Sequence, residues 1–160
     1  MEKIIKLNKK YLDQLAEVDF SCEHPNDTQR KLTKVKMKKY ISERFDKKQE
    51  IFFGYKINSE IVGYATLKLF FPGYKHCELY WLAVKKKFQK QGIGKKLMEF
   101  VESFAKKKGF RKVCLYTDED MIGAQKFYKK CGYKLINKFP NYYGFGKGFN
   151  NTAVMMYKEI

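Results

Sequence analysis

The most informative part of this sequence is LYWLAVKKKFQKQGIGKK, from Leu79 to Lys96. Its apolar start, Leu79 to Val84, predicts a strand, and a helical period begins after the glycines Gly92 and Gly94. A strand, a glycine-containing turn and a helix in this order direct several backbone N–H groups and the positive end of the helix dipole at one point. Glycine has no Cβ atom to keep a ligand away from that backbone. The stretch therefore predicts an anion site at the start of a helix, of the kind that binds phosphate groups.

The glycine spacing excludes two common phosphate-binding motifs. A Walker loop needs a glycine where Gln89 stands and a Ser or Thr where Lys96 stands. A dinucleotide fingerprint needs a third glycine where Leu97 stands. The pattern that remains is Q-x-x-G-x-G, from Gln89 to Gly94, directly after a strand that ends in Leu-Ala-Val. This pattern resembles the pyrophosphate loop of the GCN5-related N-acetyltransferase (GNAT) superfamily.

Two further motifs support the resemblance to the GNAT superfamily. The pattern E-x-x-x-x-A-V, from Glu78 to Val84, precedes the loop. The pattern A-x-x-F-Y-x-x-x-G-Y, from Ala124 to Tyr133, follows it. The three pieces stand in the family's order, and the resemblance covers most of the chain. It implies an α/β fold with a central, mostly antiparallel sheet, one splayed parallel strand pair and about four flanking helices.

The apolar periodicity along the chain predicts the elements of that fold within one domain, residues 1–160. The predicted strands are Lys3–Leu7, Ile51–Ile57, Ile61–Phe71, Cys77–Val84, Arg111–Thr117, Tyr133–Asn137 and Thr152–Lys158. The residues predicted to cap three helices are Asn8, then Asp27 or Thr28, and then Asp118 or Asp120. A further helix is predicted directly after the glycine turn. A right-handed crossover predicts that Arg111–Thr117 runs parallel to Leu79–Val84.

The charge of the chain invites a second hypothesis. It holds 34 Lys and Arg against 17 Asp and Glu residues, a formal net charge of +17. Such an excess is typical of proteins that bind nucleic acid. However, only Arg30, Arg44 and Arg111 are arginines, whose planar fork suits base and phosphate recognition better than lysine. A non-catalytic basic module that binds nucleic acid or senses acyl-CoA is the alternative, and non-specific attraction of polyanions is expected in either case.

Cysteine usage and hydropathy bear on the compartment. The four cysteines are widely spaced and include no CxxC pair, which predicts reduced thiols in a cytoplasmic protein. No apolar run approaches the roughly 18 residues of a membrane span, and no secretory leader is apparent. His24 and His76 are isolated, so no metal site is predicted. The sequence leaves homodimerisation open.

The resemblance implies that acetyl-CoA is the co-substrate and lies where the two parallel strands splay. The main chain of Leu82, Ala83 and Val84 would bond the pantetheine arm, as an added strand does. The residues that would surround the pyrophosphate are Gln89, Lys90, Gln91, Gly92, Ile93, Gly94 and Lys95.

The resemblance also implies a catalytic role for Tyr128. In the family, the tyrosine of this motif faces the thioester sulfur and gives a proton or hydrogen bond to the departing thiolate. The alternative is that the ring of Tyr128 only packs its helix on the sheet. Many members carry an asparagine where Met121 stands here, so that cofactor contact passes to backbone or to a neighbour such as Asp120.

Glu78 is the candidate general base. An alkylamine with a pKa of about 10.4 is protonated near neutral pH and must lose a proton before it attacks. Glu78 lies five residues before Ala83, as the catalytic glutamate does in histone-acetylating members. Burial would raise its pKa towards the working pH. Alternatively, Glu78 is a surface glutamate or the partner of a lysine, and a chain of water molecules serves as the base.

The acceptor predicted from the resemblance is a primary amine: a protein N-terminus, a lysine or a small amine. No cysteine stands beside an identifiable base, which favours direct attack in a ternary complex over an acetyl-cysteine intermediate. The glycine-rich segment with Tyr142 and Tyr143 is a candidate lining for the acceptor entrance, or else an ordinary hairpin loop.

Overall fold

The computed structural model of the chain describes residues 1–22, 33–143 and 152–160. Seven strands form one sheet, and four α-helices lie among the described residues. The strands are β1 (Glu2–Lys6), β2 (Glu50–Ile57), β3 (Glu60–Leu69), β4 (His76–Val84), β5 (Lys112–Asp118), β6 (Lys134–Phe139) and β7 (Ala153–Glu159). The helices are α1 (Leu12–Ser21), α2 (Lys34–Lys47), α3 (Ile93–Lys107) and α4 (Ile122–Lys130). The predicted mixed α/β fold class is confirmed.

The sheet has the strand order β1-β2-β3-β4-β5-β7-β6, and a hydrophobic core lies on each of its faces. Neighbouring residues of a strand point to opposite faces, so Phe52 packs with α1 and α2 whereas Phe53 packs with α3. The side chains of Phe127 and Tyr128 in α4 pack against the same core as α3. The two faces of the sheet are therefore covered by different helix pairs.

The parallel pair at the centre of the sheet is short. The register joins His76 to Lys112, Cys77 to Val113 and Glu78 to Cys114, and the ladder ends there. A parallel pair between these strands is confirmed, but the predicted partner segment Leu79–Val84 does not pair with β5. Beyond Glu78 the two strands separate, and one edge of β4 faces the opening between them.

A one-residue bulge interrupts the ladder between β3 and β4. Thr66 lies opposite Trp81 while Leu67 lies opposite Leu79, so Tyr80 is the extra residue. The bulge shifts the alternation of side chains along β4. As a result Tyr80 and Trp81, although adjacent in sequence, both lie on the face of α1 and α2.

Two predicted helix starts need comment. The predicted caps of the second helix, Asp27 and Thr28, lie outside the described residues. Within the described residues, α2 begins at Lys34, and Thr33 Oγ1 accepts from the N–H of Lys36. The caps predicted for α4 are wrong, because Met121 occupies the cap position and no side chain caps the helix. A tight turn, in which the N–H of Met121 donates to Asp118 O, starts α4 instead.

The helices were also assessed for their ability to span a membrane. Among residues 1–22, 33–143 and 152–160, no helix combines the length and apolar character needed to cross a membrane. Cys77, Cys114 and Cys131 are free thiols.

Candidate active site

The turn between β4 and α3 is strongly bent. Lys90 and Gly92 both adopt left-handed backbone conformations, with φ of 61° and 80°. The first bond of α3 runs from the N–H of Lys96 to Gly92 O, and no side chain caps the helix. The N–H groups of Ile93, Gly94 and Lys95 therefore have no acceptor within the helix and stand together at its positive end.

The side chains of this turn leave those amides uncovered. Gln89 Nε2 donates to Val84 O at 2.9 Å, and Gln91 Nε2 donates to Lys87 O at 3.1 Å. Both amide side chains thus fold back on the backbone that precedes them. Ile93 is buried in the core beside α3, so only its main chain can meet a ligand. Lys90 is exposed and contributes charge at the rim.

Gly94 joins this turn to α4. A Cβ atom at Gly94 would lie 3.4 Å from Cζ of Phe127 and 3.9 Å from Cγ2 of Val84. The end of β4, the start of α3 and the middle of α4 consequently meet at one point. Tyr128 is the residue after Phe127 in α4.

Tyr128 is held within an aromatic group. Its ring centroid lies 5.4 Å from that of Phe127 and 6.2 Å from that of Tyr133. Burial, assisted by the nearby Cys131 thiol, raises the pKa of Tyr128 to about 12. The phenol therefore keeps its proton at neutral pH and can donate a hydrogen bond.

The main-chain groups of Leu82, Ala83 and Val84, which were predicted to bond the pantetheine arm, do not all face the same side of β4. The N–H of Lys85 donates to Val62 O in β3 at 2.8 Å. Main-chain groups alternate in direction along a strand, so Ala83 also faces β3, while Leu82 and Val84 face the opening. Val84 O accepts from the side chain of Gln89 and, at 3.2 Å, from Cys22 Sγ.

Glu78 lies at the last step of the parallel ladder, where β4 and β5 begin to separate. Only 5% of its surface is exposed, and within the part of the chain that is described Oε2 has no hydrogen-bond partner. Burial raises the pKa of Glu78 to about 7, and Lys68 partly offsets this shift. Such a carboxyl can take up a proton near neutral pH.

Tyr128 and Glu78 lie on opposite faces of the sheet. Tyr128 packs on the side of α3, whereas Glu78 shares the other face with Arg44 and Lys68.

Tyrosines line the sheet face beside Glu78. The rings of Tyr116 and Tyr142 stack at 5.1 Å with an interplanar angle of 11°, and Tyr143 meets Tyr142 edge-on at 5.2 Å. Burial raises the pKa of Tyr116 to about 12, with a contribution from the charge of Glu78. Tyr142 is 47% exposed and forms the rim of this group. The part of the same loop at residues 144–151 lies outside the described residues.

A family model described as the acetyltransferase (GNAT) family matches residues 11–133, which is more than half of the chain. The chain belongs to the GNAT family. Probable N-acetyltransferase 14 of Xenopus tropicalis is 41% identical to this GNAT chain over 58 residues, which make up 36% of the chain and 28% of that protein. The aligned part covers less than half of each of the curated relatives matched.

Solved structures share the GNAT fold across the whole chain. The ribosomal-protein-S18-alanine N-acetyltransferase of Escherichia coli superposes with a TM-score of 0.77 at 19% identity, covering 100% of this chain and 94% of that one. PaiA N-acetyltransferase of Thermoplasma acidophilum, solved in complex with coenzyme A, superposes with a TM-score of 0.72 at 23% identity, covering 100% and 99%.

Sequence reasoning did not identify the buried polar group of Arg44, Glu50 and Thr66 on the same face of the sheet as Glu78. Arg44 is 4% exposed; it forms a two-pronged ion pair with Glu50 and donates to Thr66 Oγ1 at 2.9 Å. In the sequence Arg44 resembles the polar face of an ordinary amphipathic helix. Only the packing of α2 on the sheet places its guanidinium beneath the rings of Tyr80 and Trp81.

No metal arrangement accompanies these groups. Among the residues whose structure is described, no three His, Cys, Asp or Glu side chains gather as a metal ion would require. Lys68 is the cation beside Glu78.

Proposed function

We propose that this GNAT protein is an acetyl-CoA-dependent N-acetyltransferase that transfers the acetyl group to a primary amine. The observation that carries the proposal is the contact of Gly94 with Phe127, because it joins a turn of uncovered amides to the helix that bears Tyr128. Family membership and the coenzyme A complex of the Thermoplasma acidophilum structure support the choice of cofactor.

In this proposal the pyrophosphate of acetyl-CoA binds at the start of α3. Backbone N–H groups at a helix N-terminus hold phosphate oxygens while the helix dipole favours their charge. The pantetheine arm then runs along the open edge of β4, as an added strand does. Leu82 and Val84 are the residues of the predicted trio whose main chain faces that edge, and Ala83 is engaged with β3.

The reaction begins with proton removal from the bound amine. Glu78 takes the proton, and the neutral nitrogen attacks the carbonyl carbon of the thioester to form a C–N bond. The C–S bond breaks and its electron pair passes to sulfur. Tyr128 donates a hydrogen bond to that sulfur, which lowers the cost of its negative charge. The nitrogen of the new amide loses its second proton, which passes to the thiolate and yields CoA, and Glu78 returns the first proton to solvent.

Direct transfer in a ternary complex is favoured by the state of the thiols. Burial raises the pKa of both Cys77 and Cys114 to about 12, and it also raises the pKa of Cys131. A nucleophilic cysteine needs a thiolate, which burial disfavours. These three thiols are thus poor candidates for an acetyl-cysteine intermediate.

The proposal is tested by acetyl-CoA turnover with a panel of amines: peptides with free N-termini, lysine-containing peptides and small amines. Wild type, Tyr128→Phe and Glu78→Gln are compared, and release of CoA is measured. We expect turnover with at least one amine class and slower turnover in both variants.

Cofactor binding is measured separately from turnover. Acetyl-CoA in excess raises the melting temperature by mass action if it binds the folded chain. The absence of both a shift and turnover would overturn the proposal. Nucleic-acid binding that vanishes with modest salt and ignores sequence would reflect only the lysine charge.

A further inference from the structure

Lys68 lies beside Glu78 without forming a hydrogen bond to it. The two residues stand directly opposite each other in the ladder between β3 and β4. Lys68 Nζ lies 3.8 Å from Glu78 Oε2, which is too long for a hydrogen bond. The carboxylate therefore has a positive charge nearby while Oε2 keeps its lone pairs free.

The ring of Tyr80 holds Lys68 at that distance. Lys68 Nζ lies 3.2 Å from the centroid of the Tyr80 ring, a close cation–π contact. Tyr80 lies two residues after Glu78 in β4, so its ring is directed to the same face as Glu78. The ammonium is attracted by two partners and does not settle on the carboxylate alone.

The Tyr80 ring is itself fixed from α2. The hydroxyl groups of Tyr80 and Tyr40 lie 3.0 Å apart, within hydrogen-bond distance. The Arg44 guanidinium lies 4.8 Å from the Tyr80 ring centroid. The position of Lys68 is thus set by a chain of contacts that starts at α2.

We propose that Lys68, seated on the face of Tyr80, is a positioning residue that supplies positive charge to Glu78 and leaves Oε2 free to take the proton of the acceptor amine. This inference rests on the proposed function, in which Glu78 is the base. Lys68 acts through Glu78 and has no role in binding the cofactor.

Other groups also act on Glu78 from each element around it. From α2 and β2 they are a cation and an anion, and from β5 and the segment after β6 they are neutral thiol and phenol groups. The groups in the described residues are Arg44, Glu50, Cys114, Tyr116, Tyr142 and Tyr143. Among the charged groups, Lys68 has the largest effect on the pKa of Glu78.

The distance between the Lys68 ammonium and the Glu78 carboxylate decides whether a substitution raises or lowers the pKa of Glu78. Removal of the Lys68 ammonium raises the pKa of Glu78, because burial is then less compensated. Removal of the Tyr80 ring frees Lys68 to move onto the carboxylate, which lowers the pKa of Glu78. The two substitutions therefore shift the pH dependence in opposite directions.

The test is the dependence of kcat on pH, between about pH 5 and 9, for wild type, Lys68→Met and Tyr80→Leu with one amine at saturation. We expect the acid limb to move up by about one unit in Lys68→Met and down in Tyr80→Leu. At a fixed pH on that limb, a one-unit rise is about a tenfold loss of rate. The same amine serves all variants, so its own ionisation affects every curve equally.

Conservative variants separate positioning from folding. Lys68→Arg keeps the charge and Tyr80→Phe keeps the ring, so both acid limbs should lie close to that of wild type. Lys106→Met removes one exposed lysine from α3 and controls for net charge. These variants also supply the comparison if Tyr80→Leu fails to fold.

The outcomes distinguish this inference from the proposed function. An acid limb in Glu78→Gln that matches wild type, at full rate, would remove Glu78 as the base. A limb that is lost in Glu78→Gln but unmoved in Lys68→Met would overturn the role of Lys68 alone. Equal shifts in Lys68→Met and Lys106→Met would overturn it as well, because net charge would then explain the effect.

Discussion

Gly63 in β3 lies against the backbone of Ala83 in β4. A Cβ atom at Gly63 would be 3.0 Å from Ala83 O and 3.4 Å from Cγ2 of Ile93, the first residue of α3. The neighbour at 3.0 Å is main chain, which cannot move aside as a flexible side chain can. Because Gly63 has no side chain, the end of β4 and the start of α3 can both lie close to it.

We expect Gly63→Ala to destabilise the protein by about 1–3 kcal/mol through overpacking. The displaced end of β4 should also weaken acetyl-CoA binding. Urea unfolding measures the first effect, and the acetyl-CoA-dependent rise in melting temperature measures the second. Gly73→Ala is the control, because its Cβ atom would meet nothing closer than 3.8 Å. Equal stability of the two variants would contradict the prediction.

Gly92→Ala tests the backbone conformation of the anion-binding turn. A Cβ atom at Gly92 would meet nothing within 4 Å, but φ is 80°, where an L-residue is strained. We expect a loss of about 1–2 kcal/mol in stability and a smaller thermal shift with acetyl-CoA.

Gly123→Ala is the matched comparison for Gly92→Ala. Gly123 also has nothing within 4 Å, but it lies in α4 without a positive φ. Alanine there should stabilise the helix by about 0.5–1 kcal/mol. If both variants change stability in the same direction, left-handed strain is not the cause.

Tyr128→Phe should lower kcat by about a hundredfold and change KM for acetyl-CoA little. The substitution keeps the ring contacts with Phe127 and Tyr133 and removes only the hydroxyl. Steady-state kinetics at varied acetyl-CoA measure both constants. Tyr133→Phe is the control, because its buried hydroxyl has no hydrogen-bond partner within the described structure. Retention of full kcat in Tyr128→Phe would remove the leaving-group role.

Glu78 should make stability fall as pH rises. Its pKa is about 7 in the folded protein against an ordinary 4.5, so between these values the folded state binds more protons than the unfolded state. Stability therefore decreases from about pH 4.5 to about pH 7 through this group and is level above. Glu78→Gln lacks this loss.

We expect Glu78→Gln to gain stability relative to wild type between pH 4.5 and pH 8, by on the order of 1–3 kcal/mol. Urea unfolding at the two pH values measures the difference. Glu99→Gln, on the exposed side of α3, reports the general effect of removing one negative charge. A stability difference that does not vary with pH would show that Glu78 is not perturbed by burial.

The fold could be predicted from local patterns because its elements carry strong signals. The apolar run before Gln89 predicted the central strand β4, and the helical period after Gly94 predicted α3. Gly109 and Gly132 follow α3 and α4 with positive φ, a common way for a helix to end. The start of α4 was misplaced because a backbone turn, and no side chain, begins that helix.

The candidate site was predictable only where one continuous motif forms it. The turn at Gln89–Lys95 and the Phe127-Tyr128 pair stand in local sequence patterns. The surroundings of Glu78 come from separate elements, and nothing local in the sequence connects Arg44 or Lys68 to it. Pairing of β3 with β4 and packing of α2 on the sheet bring these charges together.

The bulge at Tyr80 has a consequence for how β4 tolerates change. Glu78 and Trp81 share one face although three positions separate them, which simple alternation would not allow. Loss of Tyr80 would remove the bulge and restore simple alternation, so Glu78 and Trp81 would still share one face. Gain of one further residue between them would instead turn Glu78 towards the core beside α3. This short segment should therefore accept a deletion more readily than an insertion.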